Sequence, residues 1–248
     1  MWLPKWVGEV YKKLYTKFNE EIFYFDDVLS VSRSPYSAKV VLHELRKVGA
    51  VYIHGRVKRK RAYRLCDPEV LLYILDGRIS NLDKFRQERY SRLIGLVSVE
   101  ILKRFNFIVK SLVVYGSVAR GNARADSDID MLVIVDSKDS MGKRIDLLLD
   151  VEFSEKVSAE LNWLYNNGVD THISFLPLNL EEVTSFPPIL LDIVDEGIIL
   201  VDNGFFSKFA GEKKDYLSKL GAKRIFLSEN EWYWDFKPDI KFGEVVEV

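Results

Sequence analysis

Two apolar runs separated by a short polar stretch constrain this chain more than anything else in it. The first, Ser111-Leu112-Val113-Val114-Tyr115, leads directly into Gly116-Ser117. The second opens with Asp128-Ile129-Asp130 and continues through Met131-Leu132-Val133-Ile134-Val135. Short runs rich in valine, isoleucine and leucine read as buried strands. A side-chain period of two places Asp128 and Asp130 on one face, with Ile129 turned into the core behind them. Adjacent carboxylates repel unless something positive lies between them, and magnesium, with its preference for oxygen ligands, suits the place. Gly116 removes a side chain where backbone must approach a phosphate, and Ser117 adds a hydroxyl and an amide at a helix start. Arg120 stands one helical turn on, within reach of the same phosphate.

The full pattern is Gly-Ser, ten residues, then Asp-x-Asp, flanked by Ala119-Arg120-Gly121 and Ser127. It resembles the nucleotidyltransferase superfamily that includes DNA polymerase β, and most closely its minimal archaeal and bacterial members. The resemblance implies a domain with a mixed sheet and flanking helices. The reaction it implies moves a nucleoside monophosphate from a nucleoside triphosphate, ATP being the expected donor, to an acceptor hydroxyl. Asp128 and Asp130 would hold two magnesium ions, while Gly116, Ser117, Arg120 and Arg124 bind the nucleotide. A third family carboxylate lies on a later strand. Its candidate is Asp170, opening Asp170-Thr171-His172-Ile173-Ser174-Phe175, as both catalytic residue and metal ligand; a solvated strand-end aspartate is the plain alternative. His172 reads as a partly buried core histidine rather than a ligand. Residues 188–200 resemble the closing helix and strand of the same minimal proteins.

The first 67 residues carry a different signal. They hold 14 Lys/Arg against 7 Asp/Glu, whereas the whole chain has a net charge of −1. A basic part attached to an acidic one suggests that the basic part meets a polyanion. Helical spacing marks residues 7–21, 24–31 and 36–48. Ser34-Pro35 starts the third helix, and Ala38, Val41, Leu42, Leu45 and Val48 form its apolar stripe. Strands over 50–54 and 62–66 then flank a basic loop from Gly55 to Arg61. This order resembles the winged helix-turn-helix family, which implies DNA binding. The third helix would offer Tyr36, Lys39 and His43 to bases, and the hairpin would lay Lys58, Arg59, Lys60 and Arg61 along phosphates. A solvated basic loop on a helical protein-interaction module is the alternative.

The expected fold class is therefore α+β: a winged helix (1–67), a helical linker (68–89), a polymerase-β-like nucleotidyltransferase domain (90–203) and a C-terminal extension packed on it (204–248). That extension, with Trp232-Tyr233-Trp234, is familiar from archaeal proteins that join the two domains. No run is long enough to span a membrane, no signal-peptide pattern opens the chain, and Cys66 is the only cysteine. A cytoplasmic setting is the default. Winged helices often work as homodimers on two-fold sites, though no sustained heptad marks an interface. Three roles are open: an active transferase that binds DNA, a nucleotide-sensing regulator, and an antitoxin-like partner of a small helical toxin.

Overall fold

The computed structural model describes residues 3–105, 108–228 and 231–240. Three helices open it: α1 (Lys5–Phe18), α2 (Phe25–Val31) and α3 (Pro35–Lys47). Val7, Val10 and Leu14 of α1 are buried, as is the whole stripe of α3 from Ala38 to Leu45, continued by Val48. The start of α3 is fixed locally. Ser34 Oγ accepts the Ser37 amide at 3.1 Å, and Pro35 occupies the first helical position, where no N–H is required.

Strands β1 (Val51–Val57) and β2 (Lys60–Leu65) form an antiparallel hairpin. The loop expected from Gly55 to Arg61 is shorter in the structure. Gly55 pairs with Ala62, Arg56 with Arg61 and Val57 with Lys60, leaving a two-residue turn of Lys58 and Arg59. Both turn residues have positive φ, 46° and 70°. Such turns normally use Asn or Gly, so nothing local in this basic run marked the ladder as continuing.

Helix α4 (Pro68–Leu75) begins at Asp67, whose carboxylate accepts the Glu69 amide at 2.8 Å. Two 3-10 turns, Leu82–Lys84 and Glu88–Tyr90, precede α5 (Ser91–Phe105). The segment read as a linker is packed: Val70, Leu71, Ile79, Leu82 and Phe85 join the same core as α1, α3 and α5.

The second half of the chain is a four-stranded mixed sheet with helices on both faces. Its elements are β3 (Val109–Tyr115), α6 (Gly116–Arg120), β4 (Ile129–Val135), α7 (Met141–Glu152), α8 (Glu155–Asn166) and β5 (Ile173–Asn179). They continue with α9 (Leu180–Thr184), α10 (Ile189–Glu196), β6 (Ile198–Asp202) and α11 (Phe205–Leu220). The strand order is β5-β4-β3-β6, with β4 and β5 parallel and the other pairs antiparallel. Alternation divides the core. Leu112, Val114, Met131 and Val133 share one cluster with the N-terminal helices, whereas Val113, Leu132 and Ile134 pack with α10 and α11. A last hairpin, β7 (Lys223–Phe226) and β8 (Trp232–Asp235), lies against α10, where both Trp232 and Trp234 donate to Asp192 Oδ1 at 3.0 Å.

A buried charge network joins the N-terminal helices and hairpin to the sheet. Arg64 on β2 meets Glu160 on α8 through two hydrogen bonds, 2.5 and 2.8 Å long. Arg92 on α5 donates to the same carboxylate at 2.9 Å and to Glu20 at 3.1 Å. The Arg64 guanidinium also stacks 3.4 Å from the Trp163 ring. All three central side chains, Arg64, Arg92 and Glu160, are excluded from solvent. Among the described residues, no helix is long and apolar enough to cross a membrane.

Candidate active site

Strand β3 delivers the chain to Gly116 at the start of α6, and β4 returns it beside that point, so Tyr115 pairs directly with Asp130. Gly116 has φ +73°, a region that favours glycine. A Cβ there would fall 2.3 Å from Asp130 Oδ2. The glycine is thus required twice, by its backbone and by the carboxylate seated against it. Gly121 closes α6 with φ +80°, and a Cβ there would lie 2.8 Å from Arg86 Cβ.

Asp128 and Asp130 flank Ile129, whose side chain is fully buried. Asp128 is exposed at the strand entrance, and Asp130 is half-buried. Burial holds the Asp130 carboxyl above its ordinary range, and the neighbouring Asp128 charge adds to this. A hydrogen bond from Ser174 and the positive charge of Arg120 oppose it. Tyr115 responds to the same surroundings: burial, with the Asp130 charge beside it, pushes its phenol up to about 12. Two hard carboxylates with a repulsive term between them suit an oxygen-seeking divalent cation. Among the described residues, no group of three or more His, Cys, Asp or Glu side chains is arranged to hold a metal.

The strand register shows what faces the inner carboxylate. Asp130 lies opposite Ser174 on β5, so the side chain facing the inner carboxylate is a hydroxyl. Asp170 lies four residues earlier, before β5 begins, with its side chain exposed and 4.0 Å from His172. It therefore takes no part in the β4–β5 register that faces Asp130. His172, expected in the core, is instead 72% exposed. Its carbonyl accepts the Ile129 amide at 2.9 Å, which locks the β4 entrance to β5.

The expected nucleotide-binding residues divide in the same way. Gly116 and Ser117 line the turn beside Asp130. Arg120 is already engaged: it pairs with Glu196 at the end of α10 and lies 4.9 Å from the Trp232 ring. Arg224 holds Glu196 from the other side at 2.9 Å and stacks on the same indole at 4.0 Å. Arg124 is exposed, its amide donating to Ser127 Oγ at 2.8 Å. Glu196, Ser174 and Tyr115 join the site only through pairing and packing that sequence spacing does not show. On the N-terminal part, Tyr36, Lys39 and His43 are exposed along one side of α3. Lys58, Arg59, Lys60 and Arg61 are all exposed at the hairpin tip, and Lys60 pairs with Asp26 at 2.8 Å.

The sequence profile of the nucleotidyltransferase domain family matches residues 98–244, more than half of the 248-residue chain. The chain belongs to this family. It is a nucleotidyltransferase, a class that transfers nucleoside monophosphate groups. The matched region begins within α5 and runs past β8, so the hairpin against α10 lies inside it. The MntA–HpeT toxin–antitoxin, solved as a mutant, is 16% identical with TM-score 0.33 over 49% of this chain and 82% of that one. A toxin–antitoxin solved with AMP-PNP is 15% identical with TM-score 0.30 over 50% of this chain and 85% of that one. No curated protein matches this nucleotidyltransferase.

Proposed function

We propose that this nucleotidyltransferase moves a nucleoside monophosphate from a triphosphate, ATP first among them, to an acceptor hydroxyl, breaking the α–β phosphate bond and releasing pyrophosphate, and that its N-terminal unit is a DNA-binding winged helix. The observation that carries the first part is the seat of Asp130 against Gly116, 2.3 Å from where a Cβ would stand. Only because the glycine has no side chain can the Asp130 carboxylate sit directly against the Gly116-Ser117 turn. Asp128 and Asp130 would hold magnesium, which neutralises the triphosphate and supports attack on its α-phosphorus when bound. Gly116 and Ser117 present backbone and hydroxyl donors to the outer phosphates, and Arg124 reaches them from the loop. Arg120 acts from behind, fixing α6 to Glu196 while its charge restrains the rise of the Asp130 pKa. Asp170, exposed before β5 begins, is not assigned a metal or a proton here, so Asp170→Asn should leave transfer within about tenfold of the parent.

The second part rests on the exposed side of α3 and the basic hairpin beside it, an arrangement that suits helix-in-groove contact with phosphate contacts alongside. A second reading, a nucleotide-binding regulator or antitoxin-like partner with weak transfer, is favoured by one feature. Ser174 stands where the inner carboxylate meets β5. The deciding experiment incubates the protein with magnesium and each α-labelled nucleoside triphosphate, with cell RNA and protein as acceptors. Label transferred by the parent and absent with Asp128→Ala/Asp130→Ala supports the transferase. Nucleotide bound without transfer supports the regulator.

A further inference from the structure

The chain from Gly121 to Asp128 has no helix or strand of its own, yet it delivers Asp128 to the site. Two segments hold it from outside: the Asp170 amide and Thr171 Oγ1 donate to the Ala125 and Ser127 carbonyls at 2.8 and 2.7 Å, and residues 86–90 hold its first half. Gln87, the only glutamine in the protein, meets Ala123 twice. Its Nε2 donates to the Ala123 carbonyl at 2.9 Å, and the Ala123 amide donates back to Oε1 at 3.0 Å. One side-chain amide thereby supplies the pair of bonds that a neighbouring strand would supply. Ala123 is 6% exposed, so its backbone groups have little water to turn to instead. Tyr90 adds a bond to the Arg124 carbonyl at 2.8 Å, and Arg86 packs where only a glycine fits at position 121.

Between these residues, Glu88 faces the other way. Its Oε1 accepts Arg46 of α3 at 2.7 Å, and its Oε2 accepts the Ile53 amide of β1 at 2.7 Å. The segment therefore grips the active-site loop with one side chain and the N-terminal unit with the next.

We propose that Gln87 is a positioning residue of the nucleotidyltransferase site: it sets the 121–128 loop, and so the place of Asp128 relative to Asp130, with Glu88 fastening it to the N-terminal unit. This rests on the transferase reading for its catalytic consequence but not for its structural one.

The test uses the full chain carrying Gln87→Met, which keeps the length of the side chain and loses both hydrogen bonds. Amide exchange across 121–128, magnesium-ATP affinity, KM and kcat are read together. The Ala123 amide should exchange about tenfold faster or more, with exchange in α8 unchanged. The value of kcat should fall more than KM rises, because the loop's main task is to aim the Asp128 carboxylate, with Arg124 a lesser contact to the outer phosphates. Glu88→Gln, which weakens the Arg46 pair, should loosen the same loop to a smaller degree and serves if Gln87→Met does not fold. Loop exchange within twofold of the parent overturns the proposal. So does faster exchange with unchanged magnesium-ATP affinity, KM and kcat. If the parent transfers nothing, the transferase reading fails by itself, and loop exchange with magnesium-ATP affinity still decides the role of Gln87.

Discussion

The junction around Glu160 and the cleft around Asp130 both bring charges together, and they resolve them in opposite ways. At the junction one carboxylate meets two arginines, and each partner is further bonded to backbone or to Glu20. The charges are buried and answered, so the cluster is closed and structural. In the cleft two carboxylates face each other with a hydroxyl and an already committed arginine nearby, and burial holds the inner one above its ordinary pKa. The second arrangement is partly open to water, which screens the charges that no side chain answers. The contrast shows that charge density alone does not mark a functional site. What marks it is charge left uncompensated where a ligand can enter.

That comparison can be broken at its functional end first. Gly116→Ala forces a methyl group into the Asp130 carboxylate and should cut transfer by about 10²–10³-fold, because displacement of a reacting group by roughly 1 Å costs about that much. Its melting temperature should move far less than its activity; equal losses in both would make the seat structural. At the junction the order reverses. Glu160→Ala leaves Arg64 and Arg92 buried without their shared partner and should cost about 3–5 kcal/mol in denaturant unfolding. A loss under about 1 kcal/mol would show that water replaces the carboxylate easily.

A finer probe uses pH. Burial, helped by Arg64 and Arg89, lowers the pKa of His54 to about 4 from an ordinary 6.5. Its ring stands edge-on to Trp163, 5.0 Å away, beside the same junction. The folded pKa is below the unfolded one, so the unfolded chain takes up the proton first. Stability attributed to the neutral ring is complete above about 6.5 and is lost as the pH falls towards 4. The effect is on the order of 2 kcal/mol after discounting for partial exposure. His54→Leu should flatten this part of the pH profile; an unchanged slope assigns the loss to the carboxylates. The smallest effect on the fold is expected at the hairpin tip. Replacing Lys58, Arg59, Lys60 and Arg61 with alanine should leave melting unchanged while reducing the log–log salt slope of DNA binding by about 3–4. An unchanged slope would remove the hairpin from the DNA contact.

Much of this was legible in the sequence wherever the governing interaction is local. The start of α3 is written in Ser34-Pro35, its buried face in a stripe of five residues, and the Asp130 face in strand alternation around Ile129. The assignment of Asp170 depended on register, which is set by pairing between β4 and β5 and not by either strand alone. With Asp130 opposite Ser174, the expected carboxylate falls four residues away. Arg120 reads as a phosphate ligand until Glu196, 76 residues on, is seen to hold it. Arg64 looks like one more basic residue of the hairpin, yet its partner Glu160 is 96 residues later. Gln87 carries no motif, and its role appears only once Ala123 lies beside it. Partners this distant in sequence leave no periodicity or spacing to read.

If the Gly116–Asp130 cleft transfers a nucleoside monophosphate, the α-phosphorus of the donor must end on the acceptor while the β- and γ-phosphates leave as pyrophosphate. Parallel reactions with α-labelled and γ-labelled ATP, each with magnesium and the acceptor fraction that takes up label, test it directly. With such transfer, label should reach the acceptor from the α-phosphate alone and be lost with Asp128→Ala/Asp130→Ala. Label from the γ-phosphate, or α-label that survives the double substitution, would contradict it.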